Sequence, residues 1–143
     1  MSQIKYHIFV FLACFCSLIF AQQNNSEDTD MLPLLLQNHI DQAKLKSDRS
    51  DYYNAEDHLT KALEIAKKIN DQTSLGIIYT KIAKVQFLMY EENKANSSIS
   101  KAIQIQREID DYANRAVSYN IKGVFLSNTE EYSKTDRKTR FFS

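Results

Sequence analysis

Apolar side chains recur along this chain at intervals of three and four residues, the spacing of one face of an α-helix. One stripe of this kind consists of Tyr52, Ala55, Leu59, Ala62, Leu63, Ala66 and Ile69, and another of Leu75, Tyr79, Ile82 and Met89. Short polar breaks separate the stripes, for example at residues 90–93 (YEEN). The pattern predicts helices of roughly 15 to 18 residues that are joined by very short turns.

The same pattern returns after forty residues, so the chain contains an internal repeat. The segment KALEIAKKIND at 61–71 is similar to KAIQIQREIDD at 101–111. Matching positions at this interval are Ala43, Ala83 and Gly123; His39, Tyr79 and Tyr119; Ala55 and Ala95; Leu59 and Ile99; Ala62 and Ala102; Ile65 and Ile105; Ile69 and Ile109. Each unit is predicted to be a pair of antiparallel helices that buries its stripe by stacking on the next unit. Asp71 and Asp111 are placed to cap the helices that follow them, as is Asp30 before the first helix, which has Pro33 in its first turn.

These residues resemble the tetratricopeptide repeat, in the long form, about forty residues per unit, that is frequent in bacterial sensor and regulatory proteins. The family sets an aromatic residue four positions before a small one, another aromatic nine after it, and an alanine three further on. The units here present His39, Ala43, Tyr52 and Ala55; Tyr79, Ala83, Glu92 and Ala95; and Tyr119, Gly123, Tyr132 and Thr135. The resemblance covers residues 31–135 and implies an all-α fold, a right-handed helical-hairpin solenoid (TPR-like) of about two and a half repeats.

The third unit departs from this pattern after Lys134. Thr139 stands where the earlier units have Leu59 and Ile99, and Phe142 stands where they have alanine. We therefore predict helical repeats over residues 30–135 and an out-of-register tail over 136–143. Two explanations stay open: the chain is the amino-terminal fragment of a longer protein, which is favoured, or self-association covers the third repeat.

The turn positions where the family often has glycine are Ser50, Tyr90 and Glu130 in this chain. A left-handed residue other than glycine costs on the order of 1 kcal/mol. The sequence therefore predicts turns at these positions with a different construction.

The first 21 residues have the layout of a secretory signal peptide. Lys5 precedes an apolar run from Ile8 to Phe20, and Ala21 is the small residue at the predicted cleavage site, before a polar linker at 22–29. The run is shorter than the roughly 20 residues that a membrane-spanning helix needs. We expect export to the periplasm or the exterior, with no stable membrane span in the mature chain. An uncleaved amino-terminal anchor is the alternative.

Both cysteines of the chain, Cys14 and Cys16, lie inside the signal segment. Cleavage after Ala21 would leave a mature chain without disulfides, whose stability comes from packing. Lipidation of Cys14 is a minor alternative.

Composition gives no support for catalysis or for a cofactor. The chain has 18 basic and 18 acidic residues, so no overall field favours nucleic acid. Its two glycines, Gly76 and Gly123, are far apart and lie in helical pattern, so they cannot form a phosphate-binding loop. His39 and His58 are expected to be structural and surface residues, and no metal-ligand cluster or Ser–His–acid arrangement is present. We predict a protein that is not an enzyme and has no cofactor or metal.

The resemblance also implies a binding surface, because the first helices of tetratricopeptide units line a concave groove that takes a peptide or a partner helix. The corresponding positions here are Lys44, Thr80, Lys84, Phe87, Asn120 and Asn128. Lysines, amides and a hydroxyl suit a polar or acidic segment, with Phe87 as an apolar anchor. The resemblance thus implies a protein–protein interaction module, and the signal-peptide pattern indicates that it is exported. The alternative is the truncated extracytoplasmic sensor region of a bacterial histidine kinase or helix-turn-helix regulator whose output domains are missing.

Overall fold

The computed structural model describes residues 31–140, and the side chains of residues 31–128. The predicted signal peptide, its cleavage site after Ala21, the linker at 22–29 and the cap at Asp30 lie outside the described residues. Five helices follow one another: α1 at 31–48, α2 Tyr52–Lys68, α3 Gln72–Leu88, α4 Glu92–Glu108 and α5 Tyr112–Arg140. Residues 31–140 contain no strand, and successive helices pack against each other. This confirms the predicted all-α arrangement of helical hairpins, which is consistent with a TPR-like solenoid.

The first four helices all end in the same three-residue turn. Its middle residue has a left-handed conformation, and these residues are Ser50, Asn70, Tyr90 and Asp110, with φ of 59°, 56°, 61° and 55°. In the second turn, the Asp71 amide donates a hydrogen bond of 2.9 Å to the Ala66 carbonyl. The other three turns repeat this bond at the same spacing, which satisfies a carbonyl at the end of each helix. The predicted turns at Ser50 and Tyr90 are present, but the different construction predicted for them is wrong, because both residues are left-handed without being glycine. The repeated hydrogen bond helps to offset the cost of that conformation.

Two predicted caps fix where the following helices begin. The Asp71 carboxylate accepts a hydrogen bond from the Ser74 amide at 3.0 Å, and the Asp111 carboxylate accepts one from the Asn114 amide at 3.1 Å. Both bonds satisfy amides that the first turn of a helix leaves unpaired. Helices α2, α3 and α4 each have 17 residues, within the predicted range.

Small residues allow the helices to approach closely in the core. The alanines that are completely buried are Ala55, Ala62, Ala66, Ala83, Ala95 and Ala102. Ala43 and Ala83 are buried as the repeat predicts, whereas Gly123 at the equivalent position is exposed, and among the described residues nothing lies within 4 Å of a Cβ added there. A polar chain also ties three helices together. Gln86 of α3 donates to Glu56 of α2 at 2.7 Å and accepts from Ser98 of α4 at 2.8 Å.

Helix α5 differs from the prediction in its length. It continues without interruption from Tyr112 to Arg140, so the predicted turn at Glu130 is wrong, and the helix also crosses the expected repeat boundary after residue 135. Residues 127–140 contain neither glycine nor proline, so no strong helix breaker stands where the register predicted a turn. None of the helices in residues 31–140 is both long enough and apolar enough to span a membrane.

Candidate functional site

A cleft of about 200 Å³ lies between the first helices of the first two units, α1 and α3. Its exposed and half-buried lining consists of Lys44, Ser47, Asp48, Lys81 and Lys84, and its buried lining consists of Ala43, Leu59 and Val85. The repeat spacing places these two helices side by side, so that their polar side chains face a common space above an apolar floor. We name this feature the lysine cleft.

Positive charge dominates the lysine cleft, with three ammonium groups against the single carboxylate of Asp48. Among residues 31–128, none of these three lysines has a carboxylate oxygen within 4.0 Å, whereas Lys46, Lys61 and Lys94 all form ion pairs elsewhere. Uncompensated cations around a concave surface attract anionic groups and guide their approach.

A second cleft, also about 200 Å³, lies between the carboxyl-terminal half of α3 and α5. Phe87, Leu88, Tyr90, Glu92 and Asn128 line it. The Phe87 ring stacks on Phe125 of α5 with centroids 4.2 Å apart and planes 17° apart, which fixes the ring in place. The Tyr90 side chain is 81 % exposed, because the left-handed turn holds it away from the helices. We name this feature the aromatic cleft.

The six residues predicted to line a groove separate into three groups. Lys44 and Lys84 are both exposed and share the lysine cleft. Phe87 and Asn128 share the aromatic cleft. Asn120 is exposed on α5 and lines neither cleft. The sequence reasoning missed Lys81, although its position three residues before Lys84 places both on one face of α3.

Thr80 is not on the groove surface, and its assignment there is corrected. It is buried, and its hydroxyl donates to the Gly76 carbonyl at 2.9 Å and lies 2.8 Å from the hydroxyl of Ser118 on α5. Gln106 of α4 donates to the same oxygen at 3.3 Å. Thr80 therefore joins three helices and has no free capacity to bind a ligand.

The structure also brings together two histidines whose pairing the sequence reasoning did not foresee. The Nδ1 atoms of His39 on α1 and His58 on α2 lie 3.0 Å apart. His39 lies eleven residues before Ser50 and His58 eight after it, so only the packing of α1 against α2 brings the two rings together. Desolvation lowers the pKa of His39, as do the nearby charges of His58 and Lys61, while Asp57 opposes the shift.

Among the described residues, the histidine pair has no third ligand for a metal. Within the part of the chain that the structure describes, no three His, Cys, Asp or Glu side chains are grouped closely enough to bind a metal ion. One Nδ1 of the pair must accept the proton that the other donates, so at most one Nδ1 carries a proton while this contact persists. We interpret the pair as a structural contact between α1 and α2.

Comparisons with known proteins identify no relative of this chain. No protein-family model matches the sequence, and neither a curated protein nor a solved structure is significantly similar to it. The similarity to the tetratricopeptide repeat therefore stays a prediction from the residues quoted above.

Proposed function

We propose that this chain is an exported helical-repeat module of tetratricopeptide type that binds an acidic peptide or an acidic partner helix. The observation that carries the proposal is the lysine cleft, where Lys44, Lys81 and Lys84 surround an apolar floor without ion-pair partners in residues 31–128. The module works by binding alone. Export rests on the signal-peptide pattern of the first 21 residues.

The shape and chemistry of the lysine cleft favour a short acidic segment. The buried side chains of Leu59 and Val85 would accept one apolar side chain of the ligand, while the ammonium groups would pair with flanking carboxylates. Lysine on a flexible stem can follow a carboxylate without demanding one geometry. The site therefore selects for charge and for one apolar anchor.

The aromatic cleft provides a second anchoring point on the same series of first helices. Phe87 lies on α3 together with Lys81 and Lys84, so one extended segment that follows α3 would meet the lysines first and the aromatic ring next. Tyrosine and phenylalanine are frequent anchors at protein interfaces. We expect the preferred ligand to have acidic residues followed or preceded by a large apolar one.

Fluorescence anisotropy with two labelled peptides tests the proposal directly. The probes are deca-glutamate and deca-lysine, each titrated with the full chain. We expect deca-glutamate to bind and deca-lysine not to bind, and we expect binding to weaken about tenfold as salt rises from about 50 to 500 mM. The double variant Lys44→Gln with Lys84→Gln should weaken deca-glutamate binding at least about fivefold.

A matched variant separates the cleft from general charge. Lys68→Gln with Arg107→Gln removes the same charge from exposed positions on the second helices α2 and α4, and it should bind deca-glutamate like the unchanged chain. Selection from a random peptide display library gives an independent measure, in which enriched sequences should be acidic and should not bind the cleft variant. An equal loss of deca-glutamate affinity in the two double variants would overturn the proposal, as would enrichment of library peptides without acidic residues.

A further inference from the structure

The contact between His39 and His58 limits how many protons the two rings can hold while they stay together. Their Nδ1 atoms lie 3.0 Å apart, and the ring planes are tilted by 41° and do not stack. One added proton turns the donor ring into a cation and strengthens its hydrogen bond to the neutral ring. A second added proton puts a hydrogen on both Nδ1 atoms, so the hydrogen bond is lost and two cations face each other.

The surroundings of the pair do not neutralise two cations. The charged groups that face His39 are Asp57, His58 and Lys61, all on α2. The Asp57 carboxylate already pairs with the Lys61 ammonium at 2.7 Å. Within residues 31–128, neither histidine has a carboxylate oxygen within 4.0 Å. The doubly protonated pair therefore relieves its repulsion by separating.

Helix α1 is attached to its neighbours by few buried side chains. Only Leu36 and Ala43 are buried among residues 31–48, and Ile40 is partly buried in the same cluster. Helix α3, in contrast, buries eight residues. His39 belongs to the attached face of α1, since it lies next to Ile40 and four residues before Ala43. A helix with few buried contacts separates locally at a lower free energy than the rest of the fold, so charge on the pair should displace α1 first.

We propose that the histidine pair is an acid-sensitive contact that releases α1 from α2 when both rings are protonated. In the released state, each histidine takes up a proton near the ordinary histidine pKa of roughly 6.5, whereas the packed state accepts only one added proton. The released state therefore binds more protons below that pH, so the packing of α1 weakens as pH falls. Two ordinary histidines, compared with a pair limited to one added proton, make the packing equilibrium about fivefold weaker near pH 5.5.

Release of α1 would also change the lysine cleft, because α1 supplies Lys44, Ser47 and Asp48 to it. Lys44 lies five residues after His39 on the same helix, so the lysines of α3 would lose the charge across the cleft from them. This part of the inference rests on the proposed function, and we expect acid to weaken the binding of an acidic ligand. Protonated histidines by themselves would attract an anion, so weaker binding in acid reports the displacement of α1.

Hydrogen–deuterium exchange of the full chain, read by mass spectrometry, tests the release directly. Exchange is compared at about pH 7.5 and about pH 5.5, with exposure times scaled for the slower chemical exchange in acid. Protection of residues 31–48 is compared with protection of α4, residues 92–108. We expect protection of α1 to fall about fivefold in acid and protection of α4 to stay unchanged.

Two single variants separate the pair from general effects of acid. His58→Gln and His39→Gln each leave an amide that can donate or accept but remove one titrating ring, so α1 should keep its protection in acid. The matched control Lys68→Gln removes one positive charge from an exposed position of α2, and α1 should still be released. If α1 kept its protection in the unchanged chain, or lost it equally in the histidine variants, the proposal would be wrong. An equal loss across α1 and α4 would indicate general unfolding and would also contradict it.

Fluorescence anisotropy with deca-glutamate at the same two pH values tests the link to the lysine cleft. Glutamate has a pKa of roughly 4.3, so the probe stays ionised at both. We expect binding to weaken at least about threefold in acid for the unchanged chain and to stay constant for His58→Gln. Equal or stronger binding in acid while α1 is released would overturn the link to the cleft. If deca-glutamate fails to bind near neutral pH, the proposed function fails, while hydrogen exchange still decides whether the pair releases α1.

Discussion

The hydroxyls of Thr80 and Ser118 lie 2.8 Å apart in the interior and connect the first helices of two successive units. Since the Thr80 hydroxyl donates its single proton to the Gly76 carbonyl, Ser118 must be the donor in the pair. The Phe87–Phe125 stack has the same interval of 38 residues as this hydrogen bond. Helices α3 and α5 therefore run side by side, two residues out of the forty-residue register.

Thr80→Val should destabilise the fold by about 1–3 kcal/mol, because it leaves the buried Ser118 hydroxyl and the Gln106 amide without their partner. Urea unfolding followed by circular dichroism measures the change. Ser118→Ala provides the second arm of a double-mutant cycle. Once one hydroxyl is gone, removing the other should cost less, so the double variant should lose less than the sum of the single losses. Additive losses would show that the two hydroxyls do not interact.

The two glycines should respond to alanine in opposite directions. Glycine in a helix interior costs about 1 kcal/mol relative to alanine, so Gly123→Ala should stabilise the chain by about that amount, since its Cβ has free space. At Gly76 the Cβ would meet Gln106 Cγ at 2.9 Å inside the core, and the overpacking should outweigh the gain, with a net loss of about 1–2 kcal/mol. Thermal unfolding at low micromolar concentration measures both. Stabilisation by Gly76→Ala would show that Gln106 can move aside.

Tyr90→Gly should stabilise the chain because Tyr90 has a φ of 61°. A left-handed conformation costs a residue with a side chain roughly 1–2 kcal/mol, while glycine adds some entropy to the unfolded chain, so the expected net gain is about 0.5–1 kcal/mol. Asn70→Gly is the comparison, since asparagine tolerates this conformation better and its gain should be smaller. Denaturant midpoints of the two variants decide the order, and an equal or larger gain at Asn70 would contradict the explanation.

His39→Tyr should reduce the loss of stability in mild acid. The pKa of His39 is lowered in the folded chain, first by desolvation and then by the His58 and Lys61 charges. Between the ordinary histidine pKa of roughly 6.5 and that lower value, the unfolded chain binds more protons, so the free energy of unfolding falls as pH falls. Tyrosine, which the repeat has at the equivalent positions 79 and 119, does not titrate in this range.

The measurement is the free energy of unfolding between about pH 7 and pH 5 for the unchanged chain and for His39→Tyr. The carboxyl groups of Asp51, Asp57 and Asp111 have a lowered pKa as well. These carboxylates contribute to the free energy of unfolding above the ordinary carboxyl pKa of about 4, and the contribution is lost as pH falls below it, outside the window between pH 7 and pH 5. If the free energy of unfolding of His39→Tyr fell with pH as steeply as that of the unchanged chain, the acid sensitivity would belong to other groups.

The helices and turns were predictable because they depend on short-range patterns. Apolar residues spaced three and four apart predicted α2 and α3, and Asp71 and Asp111 predicted where α3 and α5 begin. The failure at Glu130 has another origin: the repeat register predicted a turn there, but residues 127–140 contain no glycine or proline and α5 continues. The repeat register alone was therefore not enough to predict a turn.

The candidate site was less predictable, because it depends on how neighbouring helices are aligned. Register placed Thr80 on the surface, but the contact with Ser118 is shifted by two residues and buries it. The contact between His39 and His58 requires the geometry of a hairpin, which periodicity within one helix does not contain. Lys44 and Lys84 line one cleft, and its role as a binding groove stays a prediction.

The identical turns after α1, α2, α3 and α4 restrict how such a chain can change in length. A single residue inserted within a helix would rotate every later side chain of that helix by about 100° and move its apolar stripe off the core. Deletion of residues 51–90, by contrast, removes one whole hairpin and joins the turn at Ser50 to the chain that follows the equivalent turn at Tyr90. Insertions and deletions in this chain should therefore be tolerated as whole forty-residue hairpins and rejected as single residues inside helices.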